Sequence, residues 1–147
     1  MANPNRVGSN TQDSFGSYRI ASLDAVSLGT ASNAIATLPV LSGGTGGSTQ
    51  YIIRRIVVSN LTNSAGGTAP SAASANVSVG TTNDGANLVA SVTKLTNLTA
   101  GSRYVDLTLN ANAASNVYTA NALYVNVTTA VANAAVSIRV FGDVGPF

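Results

Sequence analysis

The sequence predicts an all-β chain: an antiparallel β-sandwich of about eight short strands and, from that strand number in one domain, a jelly roll. Three observations lead there. Helix formers are scarce, with Glu absent, Lys and Met present once each and Gln only at positions 12 and 50. Asn, Thr, Ser, Gly and Val, all weak in helix interiors, fill the chain instead. Apolar and polar residues alternate with period two through the second half, and turn-forming clusters fall between the alternating runs. A chain of 147 residues fits one domain, and 37 of them are Leu, Ile, Val or Phe. That share lies above the level at which disorder becomes the default.

Taken in order, the segment before Tyr18 is dominated by Asn, Ser and Gly. It reads as a flexible arm, residues 1–17, that orders when something binds it; residues 18–147 then make the single sandwich domain. Arg19–Leu28 and Ala34–Leu41 can each hold a strand, and Pro39 pushes the second toward a sheet edge. After Gly43-Gly44-Thr45-Gly46-Gly47 comes Tyr51–Ser59, strongly β in composition, yet strict alternation puts one of Arg54 and Arg55 on each face. A bulge or a polar partner near the two arginines would reconcile this. The inward one would stack on an aromatic ring or pair with an Asp.

Gly66-Gly67 and Pro70 separate that strand from Ala75–Val79, and Asn83-Asp84-Gly85 reads as a hairpin turn leading to Leu88–Thr93. Arg103–Leu109 places Val105, Leu107 and Leu109 on one face and Tyr104, Asp106 and Thr108 on the other. Asn110–Ala122, rich in Ala and Asn, reads as a loop with room for one helical turn. Leu123–Thr128 and Ala134–Phe141 alternate cleanly, the latter with Val136, Ile138 and Val140 opposite Ser137, Arg139 and Phe141. The tail Asp143–Phe147 ends in an aromatic that could plug into a neighbour. No segment of 20 to 50 residues repeats, against a solenoid.

Composition excludes whole classes of chemistry. With no Cys and no His, disulfides, zinc sites, Cys-His nucleophiles and Ser-His-Asp triads cannot be built. The five acids Asp13, Asp24, Asp84, Asp106 and Asp143 are thin material for a cation cage. Asn83-Asp84-Gly85 with Asn87 holds one acid where a calcium loop needs several. Asp24 and Asp106 have nothing local to couple them as a glycosidase pair, and Lys94 has no dyad spacing to a serine. The expectation is no enzyme and no cofactor. The net charge of +2 is scattered rather than clustered, so no nucleic-acid partner is expected. No apolar run reaches the roughly 18 residues of a spanning helix, so no membrane partner is expected. The first ten residues lack a signal-peptide core, which fits a mature chain or assembly in the cytoplasm. Four Asn-x-Ser/Thr sequons, at Asn60, Asn76, Asn97 and Asn126, are as many as chance gives in so Asn-, Ser- and Thr-rich a chain.

The scarcity of charge, 8% of residues, is the most informative property. Monomeric sandwiches guard edge strands with Lys, Pro and inward charges. A surface of Ala, Ser, Thr, Asn and Val costs little to desolvate against a flat partner, so edges and flanks covered by other subunits are expected.

Tyr51–Asn60 (YIIRRIVVSN), Arg103–Leu109 (RYVDLTL), Ala122–Thr129 (ALYVNVTT) and Val136–Val144 (VSIRVFGDV) resemble segments of small structural proteins of tailed bacteriophages. The nearest resemblance is to the head decoration, or cement, proteins, over roughly residues 50 to 144. The resemblance implies a jelly-roll or related sandwich, a homotrimer seated on the capsid exterior where major capsid subunits meet and assembled in the host cytoplasm. Its partners would be the major capsid protein and further copies of itself, and it would stabilise the shell by bridging capsomers. Residues placed as partner contacts are Arg6, Phe15, Arg54, Arg55 and Phe147. Two other readings stand beside it. One is a self-assembling filament or surface-lattice subunit, pilus-like or a phage tail or fibre component, which would need a donated strand that Met1–Ser17 does not alternate to provide. The other is a carbohydrate-binding module, for which Tyr18, Tyr51, Tyr104, Tyr118 and Tyr124 are the aromatic candidates.

Overall fold

The computed structural model describes residues 18–40, 50–100 and 103–145. Through them run β1 (Tyr18–Ser27), β2 (Ser32–Pro39), β3 (Tyr51–Asn63), β4 (Asn76–Gly80), β5 (Leu88–Lys94), β6 (Tyr104–Asp106), β7 (Ala122–Thr129) and β8 (Ala134–Val144). They make two four-stranded sheets, ordered β1-β8-β3-β6 and β2-β7-β4-β5. Every pairing is antiparallel. The pairs β1 with β8, β2 with β7, β3 with β6 and β4 with β5 are the rungs of one long hairpin, whose turn is Asn83-Asp84-Gly85. Successive rungs go to alternate sheets, and the β3–β8 and β4–β7 ladders then complete each sheet.

One core lies between the sheets. The first contributes Ile53, Ile56, Val58, Val136, Ile138 and Val140, and the second Leu38, Val77, Val79, Leu123, Val125 and Val127, all buried. Alternation supplies most of these positions directly. The departures are bulges. In β3 the register slips between Ile53 and Arg55 and again between Ser59 and Thr62. The first slip lets Ile53 and Ile56 both face inward across a three-residue step, so Arg54 and Arg55 both face outward and both are exposed. The expectation that one arginine points inward is therefore corrected: the bulge moves an apolar residue, not a charge, onto the inner face. The second slip contains Asn60 in the left-handed region at φ 55°, and Ala25 in β1 (φ 56°) and Ala34 in β2 (φ 51°) mark two further slips.

Both seams of the sandwich are stitched within the chain. On one side Ala21 of β1 bridges Val40, just past β2. On the other, the residues after β6 leave the first sheet and join the second. Leu107 N–H still donates to the Ile56 carbonyl, but Ser91 N–H donates to the Thr108 carbonyl and Asn110 N–H to that of Val89. The expected strand Arg103–Leu109 is thus regular only at β6, although Leu107 is buried and Tyr104, Asp106 and Thr108 are exposed as its alternation requires. At these places edge backbone that low charge seemed to leave for other subunits finds its partners inside this one. Pro39 ends β2, an edge strand as expected.

The loop after Asn110 is pinned to the start of β3. Tyr51 and Tyr118 exchange backbone hydrogen bonds at 3.0 and 2.8 Å, their rings stack at 5.8 Å, and the Tyr51 hydroxyl donates to the Ala120 carbonyl at 3.0 Å. Burial, with the Tyr118 ring against it, pushes the Tyr51 phenol well above its ordinary range. The loop contains one i to i+4 hydrogen bond, from Asn116 N–H to the Asn112 carbonyl, and no helix.

Candidate functional site on the first sheet

Charge is unevenly distributed over the two sheets. Among the described residues, Arg19, Asp24, Arg54, Arg55, Arg103, Asp106, Arg139 and Asp143 all lie on or beside strands of the first sheet. The second sheet and its turn hold only Asp84 and Lys94. Register explains how the first group meets. Arg55 and Arg19 both stand opposite Phe141; Val57 stands between Arg139 and Asp106; Ser59 stands between Ser137 and Tyr104. Directly opposed residues share a face, so these three rows form one outward surface.

Three ion pairs tie its strands together. Arg55 grips Asp106 with two bonds, Nε to Oδ1 at 2.6 Å and Nη2 to Oδ2 at 3.1 Å, linking β3 to β6. Arg54 links β3 to β8 through Asp143 at 2.7 Å and also donates to the Ala114 carbonyl at 2.7 Å. Arg139 links β8 to β1 through Asp24 at 3.1 Å. A hydrogen bond from Ser137, and then the Arg139 guanidinium, hold the Asp24 carboxyl below the ordinary aspartate value of 3.8. The Asp106 carboxylate in turn holds the Arg55 guanidinium still more firmly protonated. All three pairs are solvent-exposed, so each adds little to stability.

Between the rows lies an open groove of about 450 Å³. Val57, Ser59 and Asn60 line it from β3, Arg139 and Phe141 from β8, and Arg55, Arg103 and Tyr104 close it toward β6. Tyr104 is 55% exposed, the largest exposure among the large hydrophobic residues described. The Arg55 guanidinium carbon sits 5.2 Å from its ring centroid. Arg103 is exposed and has no ion-pair or hydrogen-bond partner among the described residues.

The residues placed as partner contacts fare unequally. Arg54 and Arg55 share this face, but only Arg55 lines the groove. Arg6, Phe15 and Phe147, like the arm 1–17, lie outside the described residues. Arg103, Tyr104, Arg139 and Phe141 were not picked out as contacts; their signal was the outward half of two alternating strands, rich in arginine and aromatic residues. Of the five tyrosines, Tyr51 and Tyr118 stack on each other. Asp24 and Asp106 stand on opposite edge strands, each on its own arginine, and form no catalytic pair. Asp84 spends its carboxylate on the turn, accepting from Thr82 Oγ1 at 2.6 Å and from Ala86 N–H at 2.9 Å. These bonds lower its pKa. Among the described residues no group of three or more acids could hold a metal ion, and no helix is long and apolar enough to cross a membrane.

The outer face of the second sheet is different in kind. Thr37, Tyr124, Gly80 and Leu88 lie side by side across its four strands. Next to them Asn126 and Ser78 are 2% and 1% exposed, in the lee of the slipped segment of β2. Asn126 Oδ1 accepts from Ala34 N–H at 2.9 Å, and its amide reaches Ser78 Oγ at 3.5 Å. Asn33 extends further, donating to the Asp84 carbonyl at 2.9 Å.

No family model matches the chain, and no curated protein and no solved structure is significantly similar to it.

Proposed function

We propose that the chain is a structural virion protein, a decoration or cement subunit that binds the outside of a phage capsid and stabilises the shell by bridging capsomers. The observation that carries this reading is the winding of the chain. A single hairpin whose four rungs alternate between two four-stranded sheets is how we read a jelly roll, an architecture used by viral capsid and lectin domains. The strand segments that resemble phage decoration proteins fall on β3, β6, β7 and β8. The nearly uncharged outer face of the second sheet, on which Lys94 is the one charge among the described residues, supports the same reading. It presents Thr37, Tyr124, Thr128 and an exposed Val92, and such a surface is cheap to desolvate against a neighbouring subunit. On this reading that face meets other copies in a homotrimer or the capsid lattice, and the arginine-bearing face looks elsewhere.

The mechanism is mass action. A subunit that binds only the assembled, expanded lattice stabilises it at each site by RT ln(1 + L/Kd), where L is the free subunit concentration. The test is co-sedimentation of the purified chain with expanded, DNA-free heads of its phage, followed by thermal rupture of the decorated heads. Saturable binding with a raised rupture temperature is expected. Failure to bind expanded heads would remove the reading.

A further inference from the structure

We propose that the groove on the outer face of the first sheet binds an acidic sugar, a uronic- or sialic-type residue carrying one carboxylate, within a glycan. Three properties of the groove point to this ligand together. The first is Tyr104, a ring 55% exposed at the rim, with Arg55 at 5.2 Å from its centroid. An exposed ring face fixed in this way stacks against the C–H face of a pyranose at little entropic cost. The second is the neutral hydrogen-bonding pair Ser59 and Asn60, which lines the groove beside Val57. Asn60 Nδ2 makes only a long 3.4 Å contact to Ser137 Oγ, so most of its amide capacity remains for hydroxyl groups.

The third property is the charge count. Three guanidinium groups line the groove, but Arg55 is neutralised by Asp106 and Arg139 by Asp24. Arg103 remains, with all its donors unused among the described residues. Among the arginines that line the groove Arg103 alone is uncompensated, which matches one carboxylate per binding unit; Arg19, also exposed on this face, lies outside the lining. A nucleic-acid strand would want several free cations along its backbone, and two of the three here are already spoken for. A volume of about 450 Å³ is in the range of small-ligand sites. The site stands independently of the virion reading, since neither oligomeric state nor capsid binding enters the argument.

The experiment titrates the full chain, by saturation-transfer NMR and calorimetry, with sialyllactose and digalacturonate. Their methyl esters, lactose, inorganic phosphate and hexaglutamate serve as comparison ligands. An acidic sugar should bind in the millimolar range or tighter, and its methyl ester about tenfold more weakly. Tyr104→Ala and Arg103→Gln should each weaken binding by about tenfold or more, with an unchanged melting temperature because both side chains are exposed. Arg54→Gln, on the same face outside the groove, should bind as the parent does. Four results would overturn the proposal: equal binding of acid and ester, indifference to Tyr104→Ala, binding of hexaglutamate or phosphate without the sugars, or no binding of any sugar.

Discussion

The two sheets share one core and one rule of alternation, yet their outer faces are held by different means. The first sheet crosses its strands with exposed ion pairs, Asp24–Arg139, Arg54–Asp143 and Arg55–Asp106, over a single buried hydroxyl, Ser137. The second buries an amide and a hydroxyl, Asn126 and Ser78, beside the bulge at Ala34. The difference separates stability from availability. Exposed pairs contribute little and leave Tyr104 and the unpaired Arg103 uncovered at the surface, whereas a buried amide is fixed in place beneath an exterior whose one charge is Lys94.

The largest expected effect comes from the tightest place in each sheet. A Cβ on Gly142 would fall on the Ile52 carbonyl and the Ile20 δ-methyl, and one on Gly80 would come within 2.9 Å of the Asn87 carbonyl. Gly142→Ala should cost about 3 kcal/mol, read as a lowered denaturation midpoint, and Gly80→Ala measurably less. Asn126→Ala removes the acceptor for Ala34 N–H and should cost about 2 kcal/mol. Removing an ion pair of the first sheet, by Arg55→Gln or Asp143→Asn, should cost less than about 1 kcal/mol and lose even that at high salt. An Asn126 variant as stable as an Arg55 variant would erase the contrast between the sheets.

Smaller still is the bulge strain. Ala34 holds φ 51°, so Ala34→Gly should raise stability by about 0.5 kcal/mol, the relief of the left-handed alanine less the added freedom of the unfolded chain. The pH profile sharpens the same comparison. Asp24 and Asp84 have folded pKa values below the ordinary 3.8, so their contribution is complete above that value and is lost as pH falls through the lower folded values. With no His and no Cys, stability should be flat from about pH 5 to about pH 7. A transition inside that window would require a titrating group that this account lacks.

How much of this was legible in the sequence follows from what period-two alternation can and cannot encode. It placed Val125 and Val127 inward, Tyr104 and Asp106 outward, and Asn83-Asp84-Gly85 at the hinge of the hairpin, because each depends on nearest neighbours alone. In β3 the parity of Arg54 and Arg55 pointed to the bulge that the register shows, yet nearest neighbours alone left one arginine inward, because they do not say which residues a bulge turns outward. Ala25 and Ala34 sit at such slips with no turn-forming side chain. The seam at Thr108 and Asn110, where one segment passes between sheets, depends on partners distant in sequence, and so does the groove. Its arginines lie on β3, on β8 and just before β6, and only the register brings them together.

The central claim is that this sandwich is a subunit built to associate through its sparsely charged second-sheet face into a closed assembly. Size-exclusion chromatography with light scattering on the full chain tests it most directly. The account predicts a discrete species of three times the 14.7 kDa chain mass. A monomer over the same concentration range, or open-ended fibres in the void volume, would contradict it.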